Sequence, residues 1–288
     1  MTRLLLEVGQ EPFPGYRLVR LRGRGGFAEV WEATAPNNDR VALKFMPTQN
    51  SNSASRELRS IQAVRRLSHP GLVQIYQVWS TPSNLVVSME LADGSLQDLH
   101  EAYHTEYGTL MPTNEICHYL WQAAQALDFL NKCQHQDVGR TVGYQHCDVK
   151  PGNLLLFGDR VKLADFGLTQ PSNGLAQGTA RAGTPCFAAP EIFRGKLYDR
   201  SDQFSLAVTY FYLRTGAMPF ANEPQTFDPK YVHPEPRLDM LTEAERPIVR
   251  KALSPVNHCR WPSCSEFIEQ LCQAHRNSQS ETMPIGVV

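Results

Sequence analysis

The most constraining feature of this chain is the segment 145–154, which reads Gln-His-Cys-Asp-Val-Lys-Pro-Gly-Asn-Leu. Asp148 can accept a proton from a hydroxyl group, Lys150 can neutralise charge on a migrating phosphoryl group, and Asn153 can hold a metal ion. Twelve residues beyond Asn153 comes Asp165, a second carboxylate for a metal ion, followed by Phe and by a Gly that lets the backbone turn. A lone Asp-x-Lys would indicate little, but the ordered pair of motifs predicts phosphoryl transfer from a nucleotide.

The length and composition are typical of a soluble globular protein with one large domain or two small ones. The chain has 288 residues, of which 42% are hydrophobic and 20% are charged. The formal net charge is -1, so the overall charge favours neither nucleic-acid binding nor membrane binding.

The cysteines and the apolar runs predict a cytoplasmic chain without a membrane segment. An odd number of cysteines at irregular spacing indicates reduced thiols rather than a disulfide framework or a zinc site. The seven cysteines lie at positions 117, 133, 147, 186, 259, 264 and 272. The apolar run at residues 4–6 is too short for a signal peptide, and no run approaches the roughly 20 apolar residues of a membrane helix.

The two motifs resemble the catalytic loop and the magnesium-binding loop of eukaryotic-like Ser/Thr protein kinases. A glycine cluster within residues 16–31 extends the resemblance, because it reads as strand, tight turn and strand. In the dinucleotide fingerprint, by contrast, a helix follows the glycines. Gly23 and Gly25 match the first two glycines of the kinase loop, with Gly26 in the same nucleotide-binding turn, while Ala28 replaces the third glycine. Taken alone, this segment would equally fit an ordinary hairpin.

The resemblance implies further nucleotide contacts on the following strands. Val30 would pack on the adenine, Ala42 would line the same site, and Lys44 would contact the phosphates. Such a lysine needs a carboxylate to hold it, and Glu57 is the only acidic residue between positions 45 and 89. Glu57 shares one face of a predicted helix with Ile61, although a surface glutamate is the alternative interpretation.

Residues 85–96 read as a buried strand that runs into a connector. This stretch resembles the hinge between the two kinase lobes. The resemblance implies that Met89 guards the back of the nucleotide pocket. It also implies that the backbone groups of Glu90 and Ala92 hydrogen-bond the adenine edge.

The second half of the chain reads as mainly helical. The pattern predicts an amphipathic helix over 113–131, a fully buried helix over 201–213, and closing helices over 243–253 and 264–275. Residues 134–144 read as an exposed loop insertion. After Phe220 the chain is rich in proline and polar residues, so the helix that often docks substrates in this family is expected to be short or absent.

The segment from Asp165 to Glu191 resembles the kinase activation segment. In the family, the threonine at position 184 contacts the catalytic Asp and Lys. Glu191 would be buried and needs a cation, for which Arg260 is the family-matched partner. Asp202 resembles a residue that holds the catalytic-loop backbone, but an Asp at a helix start is as often a simple N-cap.

These observations predict an α+β fold of the two-lobed protein kinase type. We expect an N-terminal extension at 1–15, and a small lobe of antiparallel strands with one key helix at 16–91. A larger, mainly α lobe follows at 92–275, and 276–288 form a tail or the start of a linker. The His-Cys-Asp variant at 146–148 is more typical of bacterial than of animal members.

The predicted function is transfer of the γ-phosphate of ATP, with Mg²⁺, to Ser or Thr hydroxyls of protein substrates. Asp148, Lys150, Lys44 and Glu57 are the expected catalytic residues, and Asn153 and Asp165 are the expected metal ligands. A pseudokinase scaffold, a small-molecule phosphotransferase and an ATP-binding signalling module remain as alternatives. Nucleic-acid partners are not expected, and the oligomeric state is left open.

Cys147 leads to a prediction about control. Most family members place an arginine before the catalytic Asp, where it reaches a phosphate on the activation segment. Cys147 carries no positive charge and cannot do this, so phosphorylation of the activation segment should be dispensable for catalysis. The candidate sites are Ser172, Thr179 and Thr184, and Arg181 or Arg140 are the possible substitute anchors. We interpret Cys147 as a packing residue rather than a redox switch.

Overall fold

The chain folds into two compact units, which are described separately. The first unit comprises residues up to Arg66 together with Val73–Asp93, and the second comprises Leu67–Leu72 and the chain from Gly94 onward. The computed structural model describes residues 6–24, 28–47, 51–81, 83–132, 134–137, 140–172 and 183–281. Residues 67–72 thus group with the second unit, although the predicted lobe boundary placed them in the small lobe.

The first unit is an antiparallel sheet with one long helix, as the sequence predicts. Its strands lie in the order β1-β2-β3-β5-β4. In chain order its elements are β1 (Arg17–Arg24), β2 (Glu29–Thr34), β3 (Arg40–Pro47), α1 (Ser51–Arg65), β4 (Ile75–Ser80) and β5 (Asn84–Glu90).

The two faces of this sheet are both apolar, which explains why β3 is buried along almost its whole length. On one face the core is built around Trp31, Leu43 and Val86. On the other face, Ile61 of α1 packs against Met46 and Val87 together with neighbouring apolar side chains. Helix α1 is therefore held on the sheet by its apolar stripe rather than by helix propensity alone.

The second unit is mainly helical and also holds several short strand pairs. Its elements are β6 (Gly94–Ser95), α2 (Leu96–Tyr107), α3 (Thr113–Asn131), β7 (His135–Asp137), β8 (Arg140–Val142), β9 (Tyr144–Gln145), β10 (Leu154–Phe157), β11 (Arg160–Leu163), β12 (Gln170–Pro171), α4 (Pro190–Phe193), α5 (Ser201–Thr215), α6 (Glu245–Ala252) and α7 (Cys264–Glu281).

The predicted helices of the second unit are confirmed, with shifts at some ends. Helix α3 has the predicted bounds, and all five residues of its apolar stripe are buried: Ile116, Leu120, Ala123, Leu127 and Leu130. Helix α5 is buried on nearly all sides, as a helix that is apolar all round must be. Helix α7 continues to Glu281, beyond the predicted end at His275.

The prediction of an exposed loop over 134–144 is only partly correct, because the segment contains paired strands and Gln134 and Thr141 are exposed. Strands β7 and β8 pair there as an antiparallel hairpin. Its first residue, His135, is buried, and Nε2 of its ring lies 2.8 Å from the backbone oxygen of Phe129. Gly143 is also buried, and a Cβ at this position would overlap the backbone oxygen of Asn131. The two ends of the hairpin, at His135 and Gly143, therefore pack on the end of α3.

The proline-rich segment after α5 has no helix anywhere in residues 217–244, all of which the structure describes. It is anchored by His233, whose ring sits edge-on to Phe193, Phe204 and Phe220 with centroid distances of 4.7–5.4 Å. Burial lowers the pKa of His233 to about 4, so the ring is neutral in this aromatic cluster at pH 7.

Among the helices of the described residues, none has the length and apolar character needed to cross a lipid bilayer.

Candidate active site

The loop that carries Asp148 is held in place by the side chain of Asp202, the second residue of α5. The Asp202 carboxylate accepts hydrogen bonds from the backbone N–H groups of His146, at 2.6 Å, and Cys147, at 2.9 Å. Cys147 has a positive φ of 69°, a conformation that costs energy for a residue other than glycine. The two bonds stabilise that turn, so the clamp interpretation of Asp202 is correct and the N-cap alternative is wrong.

His146 connects the catalytic loop to the second motif, a role that the sequence did not reveal. Its ring is fully buried and lies against Phe166 at a centroid distance of 5.5 Å. The Asp148 N–H donates to Nδ1 at 3.3 Å, and Nε2 lies 2.8 Å from the backbone oxygen of Ala164. Since Nδ1 accepts, Nε2 carries the proton and donates it to that oxygen.

Asp148, Lys150 and Thr184 form a closed triangle of polar contacts. The Thr184 hydroxyl donates to Oδ1 of Asp148 at 2.8 Å and accepts from Nζ of Lys150 at 2.7 Å. Nζ of Lys150 also lies 3.0 Å from Oδ2 of Asp148. The predicted contact of Thr184 with both residues is therefore confirmed.

Asn153 completes the surroundings of Asp148. Its amide nitrogen donates to Oδ2 and to the backbone oxygen of Asp148, each at 2.8 Å. Both amide hydrogens are thereby used. The side-chain oxygen of Asn153 is left as the atom that can coordinate a cation. A carboxylate offers about four lone-pair sites, and three of those on Asp148 are taken, so one is left for an incoming hydroxyl group.

A short hairpin brings the two expected metal ligands to the same place. Strands β10 and β11 pair from Leu154 opposite Leu163, so the residues just outside the pair meet at one end. The Ala164 N–H donates to the backbone oxygen of Asn153 at 3.0 Å. Asp165 follows directly with φ 67° and ψ 63°, a left-handed turn that changes the direction of the chain.

The donor set of this hairpin end fits magnesium. Mg²⁺ prefers oxygen ligands and is usually bound through one or two carboxylates together with the phosphates of a nucleotide. Asn153 supplies an amide oxygen and Asp165 a carboxylate. The described residues contain no group of three or more His, Cys, Asp or Glu side chains that could hold a metal ion.

The end of the activation segment is fixed to the second unit by a buried ion pair. The Arg260 guanidinium donates to both carboxylate oxygens of Glu191, at 2.7 and 2.8 Å. The Ser201 hydroxyl donates to the same carboxylate at 2.8 Å. The side chain of Arg260 has no exposed surface and that of Glu191 is 6% exposed, which confirms the predicted pair.

Near its end, at Gly183, the activation segment also approaches the catalytic loop very closely. Gly183 has a positive φ of 108°, and a Cβ there would overlap the backbone oxygen of Cys147. Burial raises the pKa of the Cys147 thiol well above its usual range, and the Asp202 carboxylate adds to the effect. A protonated thiol in this position fits the packing role rather than a redox role. Of the predicted phosphorylation sites, Thr179 lies outside the described residues.

The first unit carries the remaining predicted site residues on adjacent strands. Gly23 pairs with Val30, Val30 with Lys44, and Ala42 with Met89. Cross-strand partners share a face of the sheet, and so do alternate residues of one strand. All five of these residues therefore lie on the same side of the sheet. This is the side on which α1 packs, through Met46.

Glu57 projects from α1 about one turn before Ile61, and both Glu57 and Lys44 are half-buried. Lys44 lies two residues before Met46, on the sheet face covered by α1. The predicted Lys44–Glu57 ion pair remains a prediction. Gly25 and Gly26, also predicted to bind the nucleotide, lie outside the described residues.

Arg22 was not predicted as a site residue, yet it contacts the hinge segment. Its guanidinium donates to the backbone oxygens of Ala92, at 3.2 Å, and Asp93, at 2.6 Å. The Glu90 carboxylate accepts from the backbone N–H of Gln74 at 2.7 Å. The adenine contacts expected from the backbone of Glu90 and Ala92 remain predictions. Arg22 is one of four arginines in β1, and nothing in that pattern marks it for such a role.

Comparison with known proteins places this geometry in a family. Residues 16–283 match the protein kinase domain, so the chain belongs to the protein kinase family. It is 30% identical to serine/threonine-protein kinase PknF of Mycobacterium tuberculosis over 278 residues. This aligned stretch covers 90% of this chain and 56% of that protein. The α+β kinase fold expected from the sequence is confirmed.

Plant proteins are similar as well. CBL-interacting protein kinase 4 of Oryza sativa is 34% identical over 222 residues, which is 73% of this chain and 46% of that protein. CBL-interacting serine/threonine-protein kinase 7 of Arabidopsis thaliana is 37% identical over 215 residues, which is 71% of this chain and 47% of that protein. The chain thus spans about half the length of these relatives.

Proposed function

We propose that this chain transfers the γ-phosphate of ATP to serine and threonine hydroxyls of protein substrates. The observation that carries the proposal is the Asp148 carboxylate, which is buried, held by three neighbours and left with one lone-pair site. A residue fixed in this way can orient a hydroxyl group and accept its proton. Its location next to the end of the activation segment suits a peptide substrate.

Each remaining residue has a distinct task in the proposal. Bound ATP would supply the phosphoryl group. Asn153 and Asp165 would hold Mg²⁺, which would supply positive charge to neutralise the phosphates. Lys150 stabilises charge that develops on the transferred group, and Lys44, oriented by Glu57, binds the phosphates.

The adenine is assigned to the first unit. Val30, Ala42 and Met89 lie on one side of the base, while Glu90 and Ala92 bind its edge through the backbone. Gly23, Gly25 and Gly26 cover the phosphates. The shared sheet face of Val30, Ala42, Lys44 and Met89 supports this assignment.

We assign the lobes to residues 16–91 and 92–275, except that residues 67–72 group with the larger lobe, flanked by the extension at 1–15 and the segment 276–288, into which helix α7 continues as far as Glu281. A cytoplasmic location is supported by the scattered cysteines, and the net charge of -1 gives no support for a nucleic-acid partner. The protein substrates are those that present a serine or threonine in a peptide segment.

The test is incubation of the purified chain with radiolabelled ATP, Mg²⁺ and a foreign protein substrate, followed by phosphoamino-acid analysis. We expect phosphoserine and phosphothreonine, with no label transferred by Asp148→Asn. Binding of ATP without turnover would favour the pseudokinase alternative. Label in phosphotyrosine alone would contradict the assignment of substrate class.

A further inference from the structure

Two cysteines that are far apart in sequence meet where α3 packs against α7. Near the end of α3, the Asp128 carboxylate accepts hydrogen bonds from the backbone N–H groups of Cys264, at 2.8 Å, and Ser265, at 2.9 Å. The start of α7 therefore lies beside the end of α3, and the two helices run antiparallel. Earlier residues of α3 then face later residues of α7, and Cys117 and Cys272 line the same groove between the two helices.

The two thiols differ in their access to solvent. A cavity of about 370 Å³ lies along the α3–α7 groove, and both cysteines line it. Cys272 is half-buried, whereas Cys117 is only 5% exposed. A small solute that enters the cavity therefore reaches Cys272 first, with Cys117 behind it.

The surroundings of Cys272 favour its thiolate form. The neighbouring Cys117 thiol lowers the pKa of Cys272, and the Arg276 guanidinium in the same cavity lowers it further, against the effects of burial and of Glu269. The Cys272 thiol, together with burial, raises the pKa of Cys117. A thiolate at an accessible site next to a second thiol is the arrangement found in oxidation-sensitive cysteine pairs.

We propose that Cys117 and Cys272 form a reversible disulfide in response to hydrogen peroxide. The Cys272 thiolate attacks one peroxide oxygen, the O–O bond breaks, and the departing hydroxide takes up a proton to become water. The Cys117 sulfur then attacks the resulting sulfenic acid, the S–O bond breaks, and the leaving hydroxide takes the Cys117 proton. Two thiols are oxidised and one peroxide is reduced to two waters, and a small dithiol reductant reverses the change.

The scattered cysteine positions give no sign of this pair, since about 150 residues separate its members. A bond across so long a loop restricts the unfolded chain and should raise its stability. For a protein of this size, we expect the melting temperature to rise by roughly 5–10 °C on oxidation.

The test treats the full chain with hydrogen peroxide and maps its peptides by mass spectrometry without reduction. We expect a linked peptide pair containing Cys117 and Cys272, lost after dithiothreitol. In Cys117→Ala, Cys272 should instead be trapped as a sulfenic acid by dimedone. In Cys272→Ser, the buried Cys117 should stay a free thiol.

The matched control is Cys259→Ser, because Cys259 is exposed and lies outside the α3–α7 groove. This variant should form the same linked peptide at the same rate as the unchanged chain. Oxidation of Cys259 in the unchanged chain while Cys117 and Cys272 stay reduced would overturn the proposal. So would a sulfinic acid at Cys272 with no linked peptide.

Discussion

Substitution of Arg260 by alanine should both destabilise the second unit and reduce activity. The change removes a guanidinium that makes two hydrogen bonds to Glu191 and others to the backbone oxygens of Ser254 and Arg200, each at 2.9 Å. Among the described residues, the hydroxyl of Ser201 would be the hydrogen-bond partner left for the buried Glu191 carboxylate. The stability lost in this variant therefore comes from a buried charge left without a cation, and not only from the lost attraction between the two side chains.

The magnitude follows from the burial of both groups. Breaking a buried pair by removing one partner costs on the order of 3–5 kcal/mol. A globular protein has a total stability of about 5–15 kcal/mol, so the loss is a large fraction of it. For a chain of this size, each kcal/mol corresponds to roughly 2–4 °C, which predicts a melting temperature lower by about 10 °C.

The assay is thermal unfolding by circular dichroism, with two companion variants. Arg250→Ala removes one member of an exposed pair with Glu235 at 3.7 Å, and it should leave the melting temperature unchanged. The double variant Arg260→Met with Glu191→Leu removes both charges and should recover much of the lost stability. If Arg260→Ala melts like the unchanged chain, Glu191 is solvated in solution and the anchoring role is wrong.

Other predictions concern the catalytic residues, control and pH. Asp165→Asn should lower the phosphotransfer rate about 10²-fold or more, and near-normal turnover would contradict its role as a metal ligand. Thr184→Val should lower activity while Thr184→Ser retains most of it, because only the hydroxyl contacts Asp148 and Lys150; equal loss in both, measured as initial rates, would point to a packing role. Phosphatase-treated enzyme should phosphorylate a foreign substrate without a lag, since Cys147 cannot anchor a phosphate, and a long lag would reject this. The lowered pKa of His233 means that the unfolded chain binds more protons between about pH 6.5 and pH 4, so stability should fall as pH drops through this range. His233→Phe should flatten the fall in melting temperature, and an unchanged slope would contradict the assignment to this ring.

The catalytic loop could be predicted from the sequence because its chemistry is concentrated in a few adjacent positions. Asp148, Lys150 and Asn153 lie within six residues, and the turn geometry leaves little choice in how they face each other. A cationic partner for Glu191 was also predictable, since a buried carboxylate needs a cation, while the choice of Arg260 came from the resemblance to the kinase family. These parts depend on local spacing or on a strong energetic requirement.

Other parts depend on contacts that no local pattern specifies. An aspartate at a helix start fits either a cap or a clamp, and only the packing of α5 under the catalytic loop decides for Asp202. The β7–β8 hairpin is too short and too polar for an alternation of apolar and polar residues to be recognised. The burial of His135 comes from its packing against the end of α3. Arg22 reaches the hinge across about 70 residues of sequence, and its strand gives no hint of that distance.

The clamp by Asp202 also has a consequence for the order of folding. The hydrogen bonds that shape the catalytic loop join residues 55 and 56 positions apart, so they form only after a large stretch of chain has been enclosed. The left-handed turn at Cys147 gains its stabilisation at that late step. Helical structure should therefore return before catalytic competence during refolding, and the last event to finish should be the assembly of the loop that carries Asp148.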